Sequence, residues 1–86
     1  MNTRLHKNFE KQYKKLKSSE KERFKQKIKV FLADEFDPFL NNHPLKGKYQ
    51  GYRSINITGD LRAIYKRENR ERIIFVAIDS HSKFYD

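Results

Sequence analysis

The sequence predicts an α+β domain of order β-α-α-β-β-β, with an N-terminal helical hairpin packed on one face of an antiparallel sheet. Three observations carry this. Apolar residues between 6 and 32 recur at helical spacing. Residues 52–78 alternate in polarity and are rich in β-branched side chains. No repeat, low-complexity stretch or linker divides the 86 residues, so the chain reads as one domain, 1–86.

Taken in order, residues 2–6 are expected to form a short opening strand. From His6 to Lys17, Phe9, Tyr13 and Leu16 share one helical face. The Ser18-Ser19 pair breaks that pattern, and Ser19 to Glu22 reads as a capping box opening a second helix. On that helix Phe24, Ile28, Phe31 and Leu32 form the apolar stripe, and Pro38 sets its end near Phe36. Residues 37–51 read as a connection containing a short strand at Lys46–Tyr49. Tyr52 to Thr58 forms the first long strand, a turn at Gly59 reverses the chain, and Leu61 to Lys66 returns. Residues 72–78, apolar on both faces, read as a central strand covered on both sides. The tail after Ile78 is too short to predict a full element.

Charge narrows the function classes. Twenty Lys and Arg against eleven Asp and Glu give a net +9. The excess is concentrated in residues 1–29, which hold eleven basic and three acidic side chains. A solvated lysine face on a helix would explain part of it. A charge of this size on a small domain points further, to a polyanion or an acidic protein partner. Without cysteine, disulfides and thiolate metal sites are excluded. No apolar run approaches the ~20 residues of a membrane span, and the first residues lack the apolar core of a signal peptide. The expected location is therefore the cytoplasm.

The meander also predicts where chemistry collects. Successive antiparallel strands place the turn at 58–60 and the end of the last strand at the same edge of the sheet. Asp60 and His81 should emerge together there, an acid and an imidazole suited to proton transfer. Each has an ordinary structural explanation taken alone: Asp after Gly is common turn chemistry, and a histidine between two serines can simply be solvated. His43, before Pro44, is equally at home in a loop, and His6 has no constellation around it. Arg53 opens the first long strand, where its guanidinium could pair with a phosphate. Lys46, Lys48, Arg62 and Lys66 add positive charge, and Tyr49, Tyr52, Phe84 and Tyr85 supply rings. Basic residues interleaved with aromatics can hold a phosphodiester while stacking its bases. No phosphate-cradling glycine loop, nucleophile elbow or metal-ligand spacing is present, so metal-free acid–base chemistry is the expected kind.

The segment HPLKGKYQGYRSINITGDLRAIYKR, followed by IDSHSKFYD, resembles the RelE-superfamily toxins of bacterial toxin–antitoxin pairs, nearest to their YafQ-like branch. The shared features are the H-P-L-x-G hinge, the G-Y-R strand start, the hairpin aspartate, the A-I-Y return strand and the late H-S. The likeness covers essentially the whole chain. It implies a RelE-like fold and a ribosome-dependent endoribonuclease that cuts mRNA by attack of the 2′-hydroxyl, without metal or cofactor. It further implies that His43, Asp60 and His81 are catalytic acid–base residues, with His81 the general acid and His43 or Asp60 the base. By the same resemblance Arg53 would stabilise the phosphate and Tyr85 would stand near the scissile nucleotide; the charges and rings themselves make Lys46, Lys48, Arg62, Lys66 and Phe84 the expected RNA contacts. Asn56 replaces a further histidine of that branch, and Leu61 a tryptophan. The implied partners are the ribosome, its mRNA and an acidic antitoxin. Two rival readings remain at this point: a ParE-like gyrase poison, and a ribosome or RNA binder without catalysis.

Overall fold

The structure, a computed structural model, describes residues 2–85, with the side chain of Tyr85 outside the described part. Its elements are β1 (Asn2–Leu5), α1 (Lys7–Lys14), α2 (Ser18–Ala33), β2 (His43–Pro44), β3 (Arg53–Asn56), β4 (Leu61–Arg67), β5 (Arg72–Ser80) and α3 (His81–Tyr85). The five strands form one sheet in the order β1-β5-β4-β3-β2. β1 pairs with β5 in parallel, and all other pairings are antiparallel. The α+β class and the helical hairpin are as the sequence predicts.

Local chemistry explains the boundaries. His6 starts α1 by accepting the Asn8 N–H at Nδ1, 3.1 Å away. α2 begins one residue before the serine expected to cap it: Lys17 is the cap residue, and the Glu20 carboxylate accepts its N–H at 2.9 Å. α2 ends at Ala33, three residues short of Phe36. Beyond it Asp34 and Asp37 accept the N–H groups of Phe36 and Phe39, a side-chain alternative to further helical turns. The short strand expected at Lys46–Tyr49 is a 3-10 turn instead, Gly47–Tyr49, and the strand lies earlier, at His43–Pro44. The tail, expected to carry no element, forms the single helical turn α3.

The two faces of the sheet are built differently. Phe9 of α1 and Phe24 and Phe31 of α2 bury against Ile55, Ala63, Tyr65, Ile73, Phe75 and Ile78. Ring centroids there lie 5.0 Å apart for Phe31 and Tyr65 and 5.5 Å for Phe31 and Phe75, in tilted or edge-on geometry. Such pairs add about 0.5–1.5 kcal/mol each beyond burial. Lys27 of α2 is also buried on this side, donating from Nζ to the Phe39 carbonyl at 3.0 Å and lying 3.6 Å above the Phe39 ring. Burial, with Arg23 nearby, holds its pKa below the ordinary lysine value. The opposite face carries a smaller cluster of Leu45, Ile64 and Ala77, covered by Tyr49, Tyr52, Val76 and Phe84.

Strand β5 serves both faces through an irregularity. Ile64 pairs with Ala77 but Tyr65 pairs with Phe75, so Val76 is an extra residue opposite β4. The bulge resets the alternation. Ile73, Phe75 and Ile78 thereby all reach the helix side despite their uneven spacing, while Ile74 and Ala77 face the other way. Beyond Phe75 the outer edge of β5 has no β1 partner. Side chains of α1 close it: Asn8 Nδ2 donates to the Val76 carbonyl at 3.0 Å, and Gln12 Oε1 accepts the Ile78 N–H at 2.9 Å.

Candidate active site

The hairpin β3–β4 brings Asp60 to the last residue of β5. Leu61 pairs with Ser80, and the His81 N–H donates to the Asp60 carbonyl at 2.7 Å. Thr58 fixes the turn, its Oγ1 accepting the N–H groups of Leu61 at 3.0 Å and Asp60 at 3.3 Å. Asp60 and His81 therefore share one edge, as strand parity predicts. Asp60 also borders a cleft of about 480 Å³ between α1 and the strand ends, where Lys11 and Lys15 face Asp79 and Glu20.

His43 approaches from the other side. It lies on β2, directly opposite Ser54 of β3. Ser54 pairs with Ile64, and Asn56 with Arg62, so all of these face away from the helices. Three strand spacings, about 14 Å, separate β2 from β5. The backbone of His43 thus stands across an open sheet face from the Asp60–His81 edge. Between them lie Arg62 and the buried amide oxygen of Asn56, which has no hydrogen-bond partner among the described residues.

Local chemistry fixes the His43 ring. Its Nδ1 lies 2.9 Å from the Asn41 carbonyl, which can only accept. In the neutral imidazole Nδ1 therefore carries the proton, and Nε2 is the basic nitrogen. Asn41 takes the left-handed conformation, φ 48°, which asparagine tolerates better than most residues and which turns its carbonyl toward the ring. Asn42, beside it, is a hub. It accepts from Arg53 Nε at 2.7 Å, and its Nδ2 reaches the Tyr65 hydroxyl at 2.7 Å and the Glu35 carbonyl at 3.1 Å. The Tyr65 hydroxyl in turn donates to Glu35 at 2.6 Å, and Glu35 pairs with Arg67. Burial, then the bond to the Glu35 carboxylate, push the Tyr65 pKa well above that of an ordinary phenol.

This geometry changes the reading of two expected residues. Arg53 does not aim at the Asp60–His81 edge: it points to the helix side, stacks 5.1 Å above Phe36 and holds Asn42. Arg62 staples the hairpin, donating to the Thr58 carbonyl at 2.9 Å and that of Leu61 at 3.3 Å. Lys46 is exposed before the 3-10 turn. Lys48 and Lys66 border the open face, with their ammonium groups over Tyr49 and Tyr52. Phe84 of α3 packs edge-on against Tyr49 at 5.8 Å. Tyr85, expected near a scissile nucleotide, has its side chain outside the described residues. The hub role of Asn42 is absent from the sequence reading, although the Asn-Asn pair ahead of His43 is the sort of signal that marks a special turn. Among the described residues no cluster of three or more His, Asp or Glu could hold a metal ion, and no helix is long and apolar enough to cross a membrane.

Comparison with known proteins places this arrangement. No curated protein sequence matches significantly. Solved structures do. The crystal structure of YafQ from E. coli strain BL21(DE3) superposes with a TM-score of 0.81 at 17% identity, covering 99% of this chain and 98% of that one. The E. coli DinJ-YafQ toxin–antitoxin complex gives 0.78 at 18% identity over 99% of this chain and 97% of the other. A YoeB/ParE toxin from Agrobacterium tumefaciens gives 0.78 at 21% identity over 94% and 99%. These likenesses establish a RelE/YafQ-like toxin fold. A family model described as the bacterial toxin of type II toxin–antitoxin systems, YafQ, matches residues 1–86, and the chain accordingly belongs to that family of toxins.

Proposed function

We propose that this toxin is a metal-independent endoribonuclease that cuts mRNA on the ribosome. The observation that supports the reading is the backbone hydrogen bond that sets His81 beside Asp60 at the end of a sheet face bordered by lysines, with His43 on the opposite flank. In-line attack of a ribose 2′-hydroxyl on the adjacent phosphorus needs a base and an acid on opposite sides of that phosphorus. His43 Nε2 takes the 2′-hydroxyl proton. The new P–O2′ bond forms as the P–O5′ bond breaks, leaving a 2′,3′-cyclic phosphate. His81 delivers a proton to the departing 5′-oxygen and is reprotonated from solvent, while the Asp60 carbonyl fixes its backbone at this edge. Phosphate charge is offset by the lysines of the open face. Arg53 acts at one remove, through Asn42 and the loop carrying His43.

The family and the DinJ-YafQ complex support an antitoxin partner. The charge of this chain suits an acidic, partly disordered segment that folds as it binds. An acidic protein encoded beside this toxin should co-purify with it and silence it. Failure of any such neighbour to bind would remove that part of the proposal.

Growth and transcript-end mapping in bacteria expressing wild type or His81→Ala test the activity. Arrest with new 5′ ends inside translated codons, abolished by His81→Ala, is the expected result. Arrest by both proteins with intact transcripts would overturn it, and chromosome damage in that case would favour a ParE-like gyrase poison.

A further inference from the structure

We propose that a second groove, on the same open face but away from the Asp60–His81 edge, accepts a base and phosphate of the RNA strand at a nucleotide other than the one being cut. The groove encloses about 510 Å³. Its floor is Ile74, Val76 and Ala77 of β5, the stretch exposed to this side by the β-bulge. One wall is Tyr49 and Tyr52, whose rings meet edge-on at 5.9 Å. Gly51, at φ 92°, makes the reversal between them. The Leu45 N–H anchors this loop to the Tyr52 carbonyl at 3.0 Å. The facing wall is Arg4, His6 and Asn8, from β1 and the start of α1.

An apolar floor, tyrosine walls and a cationic rim suit a nucleotide. The base gains from the rings and floor, and its phosphate from the ammonium groups. Arg4 is paired with Glu68 at 3.4 Å, so one rim cation is largely neutralised. Lys48 and Lys66 are not paired with a carboxylate among the described residues. Their Nζ atoms lie 5.4 Å and 5.5 Å from the centres of the Tyr49 and Tyr52 rings. These exposed chains can swing from ring to phosphate at little cost. His6 adds a directed donor: its Nδ1 accepts the Asn8 N–H, so in the neutral ring Nε2 carries the hydrogen. A carboxylate-bearing peptide would use the cations but leave the tyrosines and the apolar floor unused, which favours RNA.

The groove is joined to the cutting edge without being part of it. Three strand positions, about 10 Å, separate Ala77 from Ser80, the residue before His81, and Tyr49 touches both the groove and Phe84 of α3. A bound strand would therefore place one nucleotide at His81 and another over Val76. This assignment rests on RNA being the substrate.

The test is an NMR titration of the intact chain with a short 2′-O-methyl oligoribonucleotide, which cannot undergo 2′-hydroxyl attack, beside a parallel titration with a glutamate-rich peptide. Saturable shifts at the amides of Arg4, His6, Tyr52 and Val76 are expected with the oligonucleotide. His6→Asn, which retains an acceptor for the Asn8 N–H, and Tyr52→Leu should each weaken binding about tenfold. His81→Ala should fail to cut mRNA while keeping the shifts at Arg4, His6, Tyr52 and Val76. Groove shifts in a wild type that leaves mRNA intact would support the groove and sink the ribonuclease reading. Shifts confined to the Asp60–His81 edge, unchanged affinity in both variants, or shifts with the peptide alone would overturn the groove.

Discussion

The two faces of the sheet use the same strands to opposite ends. On the helix side nearly every group is committed: five buried aromatic rings interlock with one another and with Tyr13, and the Tyr65 hydroxyl, Asn42, Glu35 and Arg53 complete one another's hydrogen bonds. On the open side the apolar cluster is small, lysines rest on tyrosines, and the buried Ser54 Oγ and Asn56 Oδ1 have no partner among the described residues. An orphaned buried acceptor costs stability, so a face that keeps two of them has not been optimised for folding. Alternation along each strand lets one face carry stability and leaves the other open for the proposed chemistry.

Substitutions can break that division. Phe31→Ala, in the fully buried ring cluster, should cost about 3–5 kcal/mol of unfolding free energy. A urea titration showing a loss below about 1 kcal/mol would mean that the helix face is not the stabilising one. His43→Ala should do the reverse, lowering mRNA cleavage by roughly 10²–10⁴-fold while moving stability by no more than about 0.5 kcal/mol. Equal losses in both quantities would erase the contrast.

Asn42→Ala tests the connection between the faces. It leaves Arg53 and Tyr65 short of a partner, at about 1–3 kcal/mol. It should also reduce cleavage, because the Asn41–His43 loop loses its anchor. Arg53→Lys, which keeps the charge but not the fork geometry, should resemble it more weakly. Tyr65→Phe sharpens the same point through pH. The folded state raises the Tyr65 pKa, so the protonated hydroxyl stabilises the fold fully below about pH 10, the ordinary phenol value, and is lost as pH rises beyond it. Wild type should lose more melting temperature than Tyr65→Phe between pH 9 and pH 11, values chosen to bracket roughly that ordinary phenol pKa. The smallest effect is Ser54→Ala: removing an unpartnered hydroxyl should leave stability within about 0.5 kcal/mol of wild type, on the favourable side. A clear loss there would show that the open face is more finished than it looks.

Much of this was legible in the chain itself. The helix stripes and the strand alternation follow from periodicity, and the meeting of Asp60 with His81 follows from counting strand directions. What escaped depended on partners distant in sequence. The strand at His43–Pro44 exists only because β3 offers it an edge. The end of α2 was set by Asp34 and Asp37 turning back on the backbone, ahead of the proline that seemed to define it. Alternation along β3 puts Arg53 on the same face as Ile55, but its partner Asn42 arrives through a loop whose path no local pattern encodes. The bulge at Val76 was hidden for a different reason: a strand apolar on both faces keeps its hydrophobic pattern when one residue slips.

The parallel pairing of Asn2–Leu5 with Arg72–Phe75 has a kinetic consequence. About seventy residues must be looped before these strands meet, and closure entropy for that span is roughly 4 kcal/mol. The helical hairpin can form early from local contacts, whereas the pairing of β5 is completed only when both its neighbours, β1 and β4, have arrived. The strand that ends at His81 is therefore expected among the last to be locked. Refolding followed at Ile74 should lag behind refolding followed at Phe24, so that the toxin acquires its helices before the Asp60–His81 edge.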